Sequence, residues 1–197
     1  MIKMRIGLGI KAALVILISF LAGCEEDKTN LVYELNPPDD LGEEVYGVYS
    51  RVIDHQFSNQ KYLVLQQQTD TTVHEDDCQN LYARDTIDLE SLTLNNYIEN
   101  NEHSYNLDTD FDTDTQVKLI TLEELNSYEG WESFHENYPE THGLLCVTRP
   151  GFNKDSTQSL FEYTWETGED LSEHYLVYLK KREGKWDIMA HETIDEE

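Results

Sequence analysis

The sequence predicts an α+β fold, with an N-terminal helix and several short helices packed on an antiparallel sheet, a meander built mainly from the C-terminal strands. Three observations predict it. From Gly143 to His191, strand-like runs follow one another with short turns between, which favours antiparallel neighbours. Leu41–Phe57 carries Leu41, Val45, Val48, Tyr49, Val52 and Phe57 at helical spacing, an apolar stripe suited to covering a sheet. The chain of 197 residues is long enough for one domain with a sizeable core and short for two.

Residues 1–23 read as a targeting segment. Lys3, Arg5 and Lys11 precede the apolar run Ala12–Phe20, and Leu21-Ala22-Gly23-Cys24 closes it with small residues. The run is short for a membrane span. LAGC closely resembles the lipobox of bacterial lipoproteins, which implies cleavage before Cys24, lipidation of its thiol and a stable anchor in membrane lipid. The alternative is an ordinary signal peptide whose cysteine is incidental. Glu25-Glu26-Asp27 is similar to the acidic export tags of bacterial surface lipoproteins. Residues 24–40, with Pro37-Pro38 and no periodic pattern, are expected to form a flexible tether, leaving 41–197 as the single globular domain.

Asp40 stands three residues before Glu43, a capping-box spacing that opens the first helix. Tyr62–Gln68 reads as a strand able to pair with the terminal meander. Thr69–Asp85 reads as a polar loop. Its cluster His74-Glu75-Asp76-Asp77-Cys78 has zinc-ligand chemistry but lacks the second histidine one helix turn away. Asp88–Asn100 carries a second helical stripe, with Leu89, Leu92, Leu94, Tyr97 and Ile98.

The run Asn106–Asp114 places Asp108, Asp110, Asp112 and Asp114 at alternate positions, the pattern of oxygen ligands in calcium loops. The EF-hand register fails, because the sixth and twelfth positions from Asp108 are Thr113 and Leu119, so the expectation is an exposed acidic loop with calcium as the alternative. Val117–Ile120 reads as a short strand and Thr121-Leu122-Glu123-Glu124 as a capping box. Gly130 and Pro139 bracket Trp131–Tyr138, a short helix whose aromatic spacing is that of core residues.

The final runs complete the sheet. Leu144–Arg149 ends at Pro150-Gly151, Thr157–Trp165 alternates Phe161, Tyr163 and Trp165 against Glu162 and Thr164, and Glu173–Lys181 turns at Glu183-Gly184 into Lys185–His191. Their helix-first, sheet-last order is also that of cystatin-like and NTF2-like folds, an analogy of order alone.

Besides Cys24 the chain holds Cys78 and Cys146. An exported location permits a bridge between them; the alternative is two separate thiols, with Cys146 buried in its strand. No G-x-S-x-G, S-x-x-K, HExxH or phosphate-loop glycine pattern occurs. Forty acidic residues against 14 basic ones give a formal charge of −26, a field that repels nucleic acid and draws cations and basic proteins.

Trp131, Phe134, Tyr138-Pro139, Gly143, Gly151-Phe152-Asn153, Gln158-Ser159, Leu179, Lys181, Gly184 and Trp186 together resemble a group of exported bacterial proteins and lipoproteins with no assigned activity. The resemblance covers roughly the C-terminal half. It departs at Pro150 and at Glu169–Glu173, where the group's glycine- and cysteine-rich turn is missing. It implies domain identity and export, and carries no catalytic residue. The expectation is therefore a lipoprotein of the bacterial cell envelope, outer membrane included, that acts as a non-enzymatic binding module for an envelope protein or a cationic ligand. The alternative is an envelope or extracellular hydrolase whose acidic and histidine residues meet only in the fold.

Overall fold

The structure, a computed structural model, describes residues 32–194. Cys24, the targeting segment and the first part of the expected tether lie outside the described residues. The compact unit begins at Tyr33. The described end of the tether is held from Asn36 onward: Gln67, 1% exposed, accepts from the Asn36 N–H at 2.9 Å and donates to its carbonyl at 2.8 Å, and Asp39 N–H donates to the Asn106 carbonyl at 2.9 Å.

Among the described residues the elements are five helices and seven strands: α1 (Glu43–Gln56), β1 (Tyr62–Gln66), α2 (Glu75–Tyr82), α3 (Ser91–Asn100), β2 (Gln116–Ile120), α4 (Leu122–Leu125), α5 (Trp131–Asn137), β3 (Leu144–Val147), β4 (Gly151–Phe152), β5 (Gln158–Gly168), β6 (Leu171–Arg182) and β7 (Lys185–Ile194). The α+β class is as expected. The sheet runs β2-β1-β3-β5-β6-β7, with β4 also paired to β5. The C-terminal strands β5, β6 and β7 are successive antiparallel neighbours, as a meander requires. The sheet as a whole is mixed rather than antiparallel, because β1 runs parallel to both β2 and β3. Such parallel neighbours need helical crossovers, and α2–α3 and α4–α5 supply them.

One face of the sheet is covered by α1. Tyr49 meets Phe161 edge-on at 5.5 Å, and Phe57 lies 4.9 Å from Trp165 and 6.1 Å from Tyr163. The stripe seen in the sequence is thus the buried face, joined by Leu63, Leu65, Leu145 and Val147 in one core cluster. Trp186 of β7 packs over Gly47 of this helix, its indole nitrogen 3.4 Å from where a Cβ would stand. The cap differs from expectation. Gly42, at φ 78°, occupies the N-cap with no side-chain bond, and Asp40 does not cap; Glu43 and Glu44 complement the helix dipole instead.

The opposite face is covered in two halves. Over β5, α2 and α3 bury Cys78, Leu81, Leu94 and Tyr97, with Tyr97 hydroxyl on Thr148 Oγ1 at 3.3 Å. Over β1–β3, Phe134 and Tyr138 pack on Val64, Ile120, Leu144 and Cys146 as a second cluster. Helix α2 stands where a loop was expected, since an eight-residue helix with two buried positions leaves almost no stripe to detect. Thr121 caps α4 as its capping box predicts, accepting from Glu124 N–H at 3.1 Å. Among the described residues no helix is long and apolar enough to cross a membrane.

Candidate functional site

The seam between the two helical halves brings together Cys78, Cys146, His74, His174, Glu162 and Glu166. Inward-pointing alternation along β5 places Glu162, Thr164 and Glu166 on this face, and β3 adds Cys146 opposite Thr164. Glu162 is 4% exposed. Its carboxylate takes His74 Nδ1 at 2.6 Å, the His74 backbone N–H at 3.1 Å and the Cys78 thiol at 3.5 Å. His174 of β6 meets Thr164 Oγ1 through Nδ1 at 3.0 Å, and its ring is 5.7 Å from that of His74. Asp70 and Thr72 close the rim. Burial pushes both cysteine thiols well above their ordinary value, and the Glu162 and Glu166 carboxylates push the same way. Both are therefore poor nucleophiles at neutral pH. The cavity among these groups is about 10 Å³, room for about one water.

Cys78 and Cys146 are both free. They face the same seam but serve different carboxylates, Cys78 on Glu162 and Cys146 against Gln66 Oε1 at 3.7 Å and Glu166 Oε1 at 3.9 Å. Of the two alternatives that the sequence leaves open, a bridge or two separate thiols, the structure holds the cysteines as separate thiols.

Glu166 also reaches a second cavity, of about 170 Å³, whose other lining residues are Leu125, Tyr128, Gly130, Trp131, Phe134 and Leu144. Burial lifts its carboxyl above the ordinary value and Asp70 pushes the same way, while His174 and the Cys146 thiol pull it down. Behind this cavity Glu124 Oε1 accepts from Tyr128 hydroxyl at 2.9 Å and from Tyr138 hydroxyl, and burial raises the Tyr128 phenol to about 12.

A roomier opening lies elsewhere among the described residues. A cleft of about 950 Å³ lies where the chain enters α1, and Asp39, Asp40, Glu43, Asp108, Asp110 and Asp112 line it with Tyr46 and Phe111. The acidic run of the sequence forms its wall because its backbone is tied to α1. Asp108 N–H donates to Tyr46 hydroxyl at 2.8 Å, Asp112 N–H to Ser50 Oγ at 2.9 Å, and Phe111 packs edge-on against Tyr46 at 5.5 Å. Asp114 lies beyond the cleft, its N–H on Asp54 Oδ1 at 3.4 Å. Among the described residues no group of three or more His, Cys, Asp or Glu side chains converges as a metal site, so calcium gains no geometric support.

On the α1 side, Tyr163, Tyr175 and His191 stack, with Tyr163 hydroxyl and His191 Nε2 2.7 Å apart. Sequence reasoning found the acidic run and the His74–Cys78 cluster. It missed Glu162, Glu166 and His174, which differ from other acids and histidines only in what the fold brings to them. Comparison with family models, with curated proteins and with solved structures finds no match for this chain.

Proposed function

We propose that the protein is a lipid-anchored, non-enzymatic binding module of the bacterial cell envelope that holds a basic protein partner or a cationic ligand. The observation that carries this reading is a mismatch between room and reactivity. The roomy cleft is walled by carboxylates and two aromatic rings and has no histidine or cysteine in its lining, whereas the histidine-rich seam has room for a water. A surface with a formal charge of −26 steers cations toward such a cleft. The lipobox LAGC and the resemblance of the C-terminal half to exported lipoproteins support the anchor at Cys24.

Two measurements test the two halves of the proposal. Labelled fatty acid is expected on the full chain and absent from Cys24→Ser; equal labelling of both removes the anchor. For the cleft, Asp39→Asn, Asp110→Asn and Asp112→Asn combined are compared with Glu99→Gln, Glu102→Gln and Glu132→Gln combined, which change net charge equally. Partner cross-linking in intact envelopes is expected to fall only with the first set. Equal loss in both would reduce the cleft to general charge.

A second reading, an envelope or extracellular hydrolase, is favoured by one observation: Glu162 orients His74 as a carboxylate orients a general base. Turnover of envelope peptides or glycans that His74→Gln abolishes, with the fold retained, would establish it.

A further inference from the structure

We propose that the cavity walled by Tyr128, Trp131 and Phe134 is a binding site for a small organic ammonium ion of the quaternary, methylated class. The rings stand at steep angles to one another: Trp131 and Phe134 at 72° with centroids 5.1 Å apart, Tyr128 and Phe134 at 76° and 6.1 Å. Rings set this way offer π faces from more than one side, the arrangement that recognises a diffuse positive head group. The cavity, about 170 Å³, lies below the range of drug-sized sites and suits one compact head.

Charge selects a cation over a neutral apolar group. Glu166 lines the cavity, and Glu169 Oε1 lies 3.2 Å from where a Cβ on Gly130, another lining residue, would stand. Burial disfavours the Glu166 carboxylate and Asp70 adds to that cost, while His174 and the Cys146 thiol, facing it from neighbouring strands, only partly offset it. An incoming cation would supply what solvent does not. The same aromatic cluster already holds one ammonium: Lys118 Nζ lies 4.5 Å from the Tyr138 ring centroid and donates to its hydroxyl at 3.0 Å, and Tyr138 packs on Phe134 at 5.3 Å.

Hydrogen-bond supply selects a methylated head over a primary ammonium or a metal ion. A primary ammonium has three donors to satisfy, and a metal ion needs several oxygens. The lining offers two acceptor side chains against those demands, the Glu166 carboxylate and the Tyr128 hydroxyl oxygen, whose own proton goes to Glu124. A methylated head makes no such demand.

This site is distinct from the acidic cleft, and its test leaves that reading untouched. The full chain, in a glucoside detergent free of choline groups, is titrated calorimetrically with choline and with its uncharged carbon isostere. Saturable choline binding at millimolar concentration is expected, about tenfold tighter than the isostere, and weakened about tenfold in Trp131→Ala and in Glu166→Gln. Melting curves of both variants check that the fold is kept. If Trp131→Ala loses its fold, Trp131→Leu, which removes the π face and keeps apolar bulk, takes its place. Equal affinity for the isostere, retained binding in the folded variants, or no saturable heat overturns the proposal. Once choline binds, vesicles of phosphatidylcholine and of phosphatidylglycerol distinguish sources. Competition by the first alone assigns a lipid head group, and competition by neither assigns a free solute.

Discussion

Ser159 is 0% exposed, and its hydroxyl has no hydrogen-bond partner among the described residues. A buried hydroxyl left unpaired costs about 1–3 kcal/mol relative to a paired one, so Ser159→Ala is expected to raise stability by about 1 kcal/mol in urea unfolding. A loss would mean that the hydroxyl has a partner in solution. His191 makes the opposite kind of residue-level prediction, one of pH. Burial, with His55 nearby, holds it below the ordinary imidazole value, so the folded state keeps it neutral while the unfolded chain takes up its proton first. Its stabilising contribution is therefore complete above about pH 6.5 and is lost as pH falls from there through the lowered folded value. The stability gap between the native chain and His191→Gln should accordingly be wider at about pH 7.5 than at about pH 5.5. A gap independent of pH would show that the imidazole charges without cost beside Tyr163 and Tyr175.

At the level of elements, the tightest junction is that of α3 with β4, where Gly151 presses against the backbone of Tyr97. A Cβ at Gly151 would lie 2.2 Å from the Tyr97 nitrogen, so something in the main chain must move. Gly151→Ala is expected to cost about 3 kcal/mol or more and to lower the melting temperature accordingly. The same junction shows what a sequence can and cannot disclose. The stripe of α3 is local, and Leu94 and Tyr97 point where their spacing says. Its start is not local: Gln158, sixty-eight residues on, accepts from Glu90 N–H at 2.8 Å and donates to the Asp88 carbonyl at 2.8 Å. Helix α1 and strands β5–β7 were legible for the first reason, since period and turn residues lie within each run. The parallel register of β1 with β2 and β3 was not, because it is set across whole crossovers that no short window contains. The sites divide in the same way. Trp131 and Phe134 share one helical turn and show in the sequence, though as core, whereas Glu166 joins them only once β5 lies beside β3. The Glu162–His74 pair, eighty-eight residues apart, was hidden for the same reason.

For the molecule as a whole, charge is the dominant long-range term. Forty acids against 14 bases leave a self-repelling surface, and repulsion of this kind opposes the compact state. Among the described residues, the lysine and arginine ion pairs that could offset it are peripheral: Lys180 with Asp88, Lys181 with Glu44 and Arg84 with Glu192, each with at least one partner well exposed. Surface pairs contribute about 0–1 kcal/mol apiece, so screening them costs little. Screening the many unpaired carboxylates gains more, because the Debye length falls to about 10 Å at 0.1 M salt while repulsion acts over the whole surface. The melting temperature should therefore rise as sodium chloride increases from about 0.01 to about 0.3 M. A fall would mean that the few ion pairs outweigh the net charge. Calcium chloride at matched ionic strength separates this general effect from ligation at the acidic wall of the α1 cleft. If screening is all that operates, the two salts shift the melting temperature equally. A further rise with calcium that is lost in Asp108→Asn combined with Asp110→Asn would instead make those carboxylates ligands, and the cleft a metal site before it is a docking surface.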